Sequence, residues 1–352
     1  MTRFRDTLLR ELRRLLAFNA SERPWEMPLA AAVASGLPVI IGASYGQMAA
    51  GLAGSIGGLA FLYLPATRLS DRMAVLMACA FGLVACFALG ILSSVYEPLT
   101  IPVLALIAAA VTMICRFYAV GPPGSLFFVM TAAIGAYSPA RGAMAAAQVG
   151  FIAMGCTLAV LVAFFYSLHA LRHRPGVSQA GRTFDFGFVV ADSVVIGAAV
   201  GLSLVIAQLL QLPRPYWVPV SCLAVIQAAS LGEAWRKQLH RIAGTILGLL
   251  LFLLFAMMPL SAMGVALLLT ALTFVIETLV VRNYAFAVVF ITPLTILLAE
   301  AANLAAGPPK DVMVARLFDT VIGCLVGVAA AACLHSPHIR NGVARRLRRI
   351  LP

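Results

Sequence analysis

Apolar runs of about 20 residues recur along this chain from Pro28 to Leu334, each long enough for a helix to cross the hydrocarbon core of a bilayer. Only short polar breaks separate them, so no soluble domain fits in between. The composition agrees: 62% of the 352 residues are hydrophobic and 11% are charged, with a mean hydropathy of +1.00. A soluble domain would carry charge on roughly a quarter of its residues. The expected fold class is all-α, a polytopic membrane protein. Residues 1–26 form an aqueous N-terminal arm, 27–168 a first membrane unit, 169–186 a polar linker, 187–334 a second membrane unit and 335–352 a basic tail.

Breaks at Gly, Pro and charge predict twelve helices. In the first half they are 28–46, 48–66, 73–94, 99–116, 123–138 and 143–167; in the second, 187–210, 215–232, 238–258, 261–281, 283–300 and 311–334. With both termini on the cytoplasmic side, all but four of the 25 Lys and Arg fall inside, leaving Arg141, Arg214, Lys310 and Arg316 outside. That is the bias of the positive-inside rule, and an eleven-span arrangement breaks it. In the arm, Leu8, Leu12, Leu15 and Leu16 share one face of a helix ringed by arginines, suited to lie on anionic membrane lipids. The arm lacks the apolar core of a cleavable signal peptide. Topology therefore accounts for the net charge of +12, and nucleic acid is not an expected partner. Tyr216 and Trp217 then fall at the outer headgroup level and Trp235 at the inner one, about 27 Å of helix apart. Pro215 suits a helix start, and Pro219 a local break.

The halves resemble one another. "PLTIPVLALIAAAVTMICRFYAV" from Pro98 parallels "PLSAMGVALLLTALTFVIETLVV" from Pro259, "LFFVMT" parallels "AVVFIT", and "GCTLAV" from Gly155 parallels "GCLVGV" from Gly323. Six helices per half give both copies the same orientation, a parallel duplication of the kind that builds transporters with a site between the repeats. Glycines four apart (Gly42/Gly46, Gly54/Gly58, Gly197/Gly201, Gly244/Gly248, Gly323/Gly327) leave stripes on which helices approach closely, inside the bundle or at a homodimer face.

Ionisable groups inside a span are costly and point to function. Asp192, Glu277 and Asp319 are candidates for proton coupling. Asp192 has no basic neighbour in sequence, so its partner comes from another helix or it titrates. Glu277 lies near Arg282 and the inner surface, where snorkelling to water also explains it. Arg316 and Asp319 are three apart on one helix and can pair, which leaves a structural ion pair and a substrate role equally open. Gln148, Gln227 and Thr245 either line a path or join helices. Arg214 outside and Arg241 inside could draw anions toward such a path.

The seven cysteines show no CxxC or Cys/His spacing and read as small buried thiols, and the histidines form no metal constellation. No phosphate-binding loop, nucleophile elbow, zinc-protease motif or dinucleotide fingerprint is present. The chain is expected to be no enzyme and to hold no cofactor or metal.

"RPYWVPVSCLAVIQ" from Arg214, followed by "AWRKQLHRIAGTILG" from Ala234, resembles the signature of the fusaric acid resistance (FUSC-like) membrane proteins: a Tyr-Trp pair opening a helix, a basic loop, then an Arg-Ile-x-Gly-Thr-x-x-Gly helix. "NYAFAVVFITPLTILL" from Asn283 and "RLFDTVIGCLVG" from Arg316 resemble the family's later helices. The matching positions include Tyr216, Trp217, Arg241, Gly244, Thr245, Gly248, Thr292, Pro293, Arg316 and Asp319. The resemblance implies a bacterial inner-membrane exporter of small organic anions, aromatic or hydroxylated carboxylic acids, driven by protons. A periplasmic adaptor is a compatible partner. The larger members' soluble cytoplasmic domains have no counterpart in this sequence. The implied substrate path comprises Arg214, Tyr216, Trp217, Gln227, Arg241, Thr245, Thr292 and Arg316. Two other readings stay open: a passive organic-anion channel, and a non-transporting component of an efflux or envelope assembly.

Overall fold

A computed structural model of the chain describes residues 18–21, 23–173, 186–300 and 310–336. The amphipathic arm, most of the linker and the basic tail lie outside the described residues. Within them the chain forms twelve α-helices: α1 (Glu26–Ser44), α2 (Met48–Gly58), α3 (Leu69–Ser93), α4 (Glu97–Phe117), α5 (Leu126–Ala136), α6 (Ala143–His173), α7 (Phe186–Leu209), α8 (Trp217–Ile226), α9 (Leu231–Ala256), α10 (Ala262–Leu279), α11 (Tyr284–Glu300) and α12 (Lys310–His335). A 3-10 turn, Leu59–Tyr63, extends α2. Eight helices are long and apolar enough to cross a membrane, and α2, α5, α8 and α11 are shorter. The protein is a multi-pass membrane protein, all-helical among the described residues.

Local chemistry sets several boundaries. Ser230 caps α9 by accepting from the Glu233 N–H at 3.2 Å, while the Glu233 carboxylate accepts from the Ala229 N–H at 3.0 Å, a reciprocal start that satisfies two amides. This cap begins α9 seven residues before the expected 238, so the basic stretch read as a loop is helix. Ser261 caps α10 and the Asn283 side chain accepts from Phe286 N–H at the head of α11. Pro219 does not break α8: it sits in the first turn, where a missing N–H leaves no bond unmade.

The two halves pair their helices in the same order. In the first, α1 packs on α2, α2 on α6, α3 on α5 and α6, and α4 on α5; in the second, α7 packs on α8, α8 on α12, α9 on α11 and α12, and α10 on α11. The halves meet chiefly through α4 against α7 and α10 against α1. Glycines make these contacts close. A Cβ on Gly197 of α7 would lie 2.7 Å from the Ala105 carbonyl oxygen of α4, and Gly36 of α1 abuts Thr270 of α10. One constant shift of 161 residues carries Gly36 onto Gly197 and Ala109, beneath Gly197, onto Thr270. Gly155 of α6 meets α2 at Gly54, as Gly323 of α12 meets α8 at Val218. Gly46 is different: its φ of +68° ends the α1 turn and nothing lies within 4 Å of its Cβ position.

Trp217 departs from the expected headgroup belt. It is only 7% exposed and turns into the bundle, whereas Trp235 is 55% exposed at the other end. The reason is the short α8: its first residue already lies beside α12, so the indole meets protein rather than headgroups.

Candidate functional site

A cavity of about 1170 Å³ runs between the halves. All four short helices contribute to its wall, through Ser55 and Leu59 from α2 and its extension, Phe127 and Met130 from α5, Val220 and Ala224 from α8, and Leu294 and Thr295 from α11. Helices that stop inside the bundle leave their ends and the following loops free to face an internal space, the arrangement that forms binding sites in membrane transporters.

One region of the wall is cationic. Arg316 of α12 and Arg241 of α9 line the cavity and are 3% and 5% exposed. The Arg316 guanidinium carbon lies over the Trp217 ring, 4.1 Å from its centre, a cation–π contact. Its Nε and Nη1, and the Nε of Arg241, have no hydrogen-bond partner among the described residues. Arg241 Nη1 donates to the Tyr284 hydroxyl at 3.1 Å. Tyr216 packs against Trp217, with ring centres 5.1 Å apart and planes tilted by 47°, and receives a long hydrogen bond from Arg214 at 3.5 Å. Buried guanidinium N–H groups left unmade are expensive, and a carboxylate is the group whose geometry satisfies them.

A neutral polar region lies across the α5–α8 junction. The Gln227 amide donates to the Ser125 hydroxyl at 2.8 Å, and the Thr112 hydroxyl lies 2.9 Å from the same oxygen; all three residues line the cavity. The Tyr63 hydroxyl donates to the Gly124 carbonyl at 2.8 Å and steadies the Gly121–Ser125 loop. At a third region, Asp192 of α7 pairs with Arg116 of α4, and Glu277 of α10 pairs with Arg23 at 3.1 Å.

The expected path residues therefore separate. Tyr216, Trp217, Gln227, Arg241 and Arg316 share the cavity wall, as do Asp192 and Glu277. Arg214 stands behind Tyr216 and outside the wall. Thr245 and Thr292 are buried at the α9–α11 contact, where Thr292 meets Gly248 and its hydroxyl donates to the Val288 carbonyl. Two expectations change and a third resolves. Arg316 and Asp319 form no ion pair: Asp319 is fully buried with neither carboxylate oxygen bonded, because Trp217 holds the guanidinium. Glu277 does not reach out to water but is buried against Arg23, which arrives from the chain before α1. Asp192 follows the first of its two alternatives: its partner, Arg116, comes from another helix, in the adjoining half. Ser125, Thr112, Tyr284, Arg23 and Arg116 were absent from the expected site. The signal for the first was the Gly121-Pro122-Pro123-Gly124 run ahead of a short apolar segment, which marks an internal helix start.

Among the described residues no group of three His, Cys, Asp or Glu is placed to hold a metal, and all seven cysteines are free.

The chain is similar over 153 residues to the uncharacterized membrane protein YvaC of Bacillus subtilis (strain 168), with 28% identity. That match covers 44% of this chain and 22% of the relative, so the shared part spans about a fifth of the relative's length. No solved structure matches the chain. The model of the family described as fusaric acid resistance protein-like matches residues 194–330, the segment that supplies Trp217, Gln227, Arg241 and Arg316. Over that segment the chain is similar to the fusaric acid resistance protein-like family.

Proposed function

We propose that this protein exports small organic anions, aromatic or hydroxylated carboxylic acids, across a bacterial inner membrane in exchange for protons. The observation that carries this reading is the pair of buried guanidinium groups, Arg241 and Arg316, with unpartnered N–H groups at the wall of a large cavity. Trp217, Tyr216 and Tyr284 stand beside them and offer an aromatic acid both stacking surface and hydroxyl contacts. The shared helix pairing of the halves supports a parallel duplication with twelve crossings, α2, α5, α8 and α11 making short ones. The arginine distribution supports cytoplasmic termini. Asp192 and Glu277 are occupied by arginines, so Asp319, whose carboxylate is free of bonds, is the first candidate for the coupled proton.

Flux of labelled 4-hydroxybenzoate in proteoliposomes, with and without an imposed pH gradient, tests this. Accumulation above equilibrium that disappears when the gradient is collapsed is the expected result. Flux that only relaxes to equilibrium identifies a passive channel, which the same cationic wall would serve. An absence of flux for a panel of organic anions overturns the reading and leaves a non-transporting component.

A further inference from the structure

Two ion pairs join the halves of the molecule, and packing does not require either. Arg23, in the chain leading into α1, donates through Nη1 to the Glu277 carboxylate of α10 at 3.1 Å and to the Glu277 carbonyl at 3.3 Å. Arg116 near the end of α4 pairs with Asp192 near the start of α7. These are the two interfaces through which the halves chiefly meet, α1 with α10 and α4 with α7, and glycines Gly36 and Gly197 already secure the close approach there.

The positions of the charges are related. The shift of 161 residues that carries Gly36 onto Gly197 also carries Arg116 onto Glu277. Equivalent sites on the two halves thus hold opposite charges, and each has recruited the complementary charge from the other half. The shift also carries Thr112 onto Thr273, and both threonines line the cavity beside the pairs. All four charged residues line the cavity as well. Their side chains are neither sealed nor free, at 20% and 10% exposed for Arg23 and Glu277 and 33% and 23% for Arg116 and Asp192. Because successive helices alternate in direction, the N-terminal ends of α1 and α7 and the C-terminal ends of α4 and α10 lie at one end of the bundle.

We propose that these two ion pairs are paired latches that hold that end of the cavity closed, one at each contact between the halves. Opening separates α1 from α10 and α4 from α7, and both pairs must break for the halves to part. An anion arriving at this end competes with Glu277 and Asp192 for Arg23 and Arg116, so the ligand itself loosens the latch. The inference rests on the transport reading for its purpose, and its test needs no transported substrate.

Cys115 supplies the probe, since it lines the cavity next to Arg116 and is 6% exposed. Alkylation of Cys115 by a charged maleimide in the full-length protein, reconstituted in vesicles with this end accessible, is followed by peptide mass spectrometry. Asp192→Asn and Glu277→Gln each raise the rate by about three- to tenfold, and the double variant raises it further than either. Arg116→Asp combined with Asp192→Arg returns the rate toward that of the unmodified protein. Cys79 and Cys86, buried and outside the cavity wall, stay unlabelled throughout. A double variant that labels Cys115 at the original rate overturns the proposal. So does a rise shared equally by Cys79 and Cys86, which reports general loosening, or a swapped pair that fails to restore closure. Absent anion flux alongside the expected labelling pattern refutes the transport reading and leaves the latch standing.

Discussion

Replacing Arg316 by glutamine separates a ligand-binding cation from a structural one. The native guanidinium offers two N–H groups, Nε and Nη1, that no described residue satisfies, and its Cζ lies over the Trp217 ring. A bound carboxylate would gain one charge-assisted hydrogen bond from each, at about 1.5 kcal/mol apiece. Their loss costs about 3 kcal/mol and weakens binding roughly 150-fold. Stability should move the other way or not at all, because the fold keeps this charge buried without an ion pair and a neutral amide relieves the desolvation. Thermal unfolding of the purified protein in detergent reads both effects. At 4-hydroxybenzoate set to 100 times the native dissociation constant, the ligand stabilises the unmodified protein by about 2.7 kcal/mol, and the Arg316→Gln protein by only about 0.3 kcal/mol. A shift of several degrees therefore shrinks to about one. The reasoning fails if the variant keeps the full ligand shift. It also fails if the unliganded variant melts many degrees lower, since Arg316 would then be holding the bundle together.

Asp319→Asn should leave the melting temperature unchanged or raised, since no bond to the carboxylate is lost, while gradient-driven accumulation disappears and downhill flux persists; loss of folding instead would mark Asp319 as structural. Gly197→Val puts a branched side chain where even a Cβ lies 2.7 Å from the Ala105 carbonyl and 2.8 Å from the Ala109 Cβ, and should cost about 1–3 kcal/mol or more in a denaturant or thermal melt. Gly150→Ala is the matched control: nothing lies within 4 Å of that helical position, and the substitution should stabilise by about 0.4–1 kcal/mol. Gln227→Leu removes the donor to Ser125 and should cost about 1–3 kcal/mol while altering anion affinity less than Arg316→Gln does, as read by the same ligand-shift assay.

Much of the architecture was legible because a bilayer leaves few choices. Apolar runs and their Gly, Pro and charge breaks locate all twelve described helices, most to within a few residues. The misreadings have local causes. The stretch Glu233–Lys237 looked like a loop on charge alone, yet Ser230 and Glu233 cap it as helix. Trp217 fitted a belt by its spacing from Trp235, but spacing assumes one continuous span, and α8 is only ten residues long. The pairing of Arg316 with Asp319 followed from helical geometry, which cannot anticipate a competing indole supplied by another helix.

Sequence by itself determined the membrane character and the helices, because each depends on composition or on residues near one another in the chain. Tertiary structure alone decided which charges are satisfied. Asp192 found Arg116 and Glu277 found Arg23 across distances no local pattern spans, and Arg316 and Arg241 were left with free N–H groups at a shared wall. Charge in a low-dielectric interior is governed by whatever lies within a few ångströms, and only the packing of α1 on α10, α4 on α7 and α8 on α12 sets those neighbours.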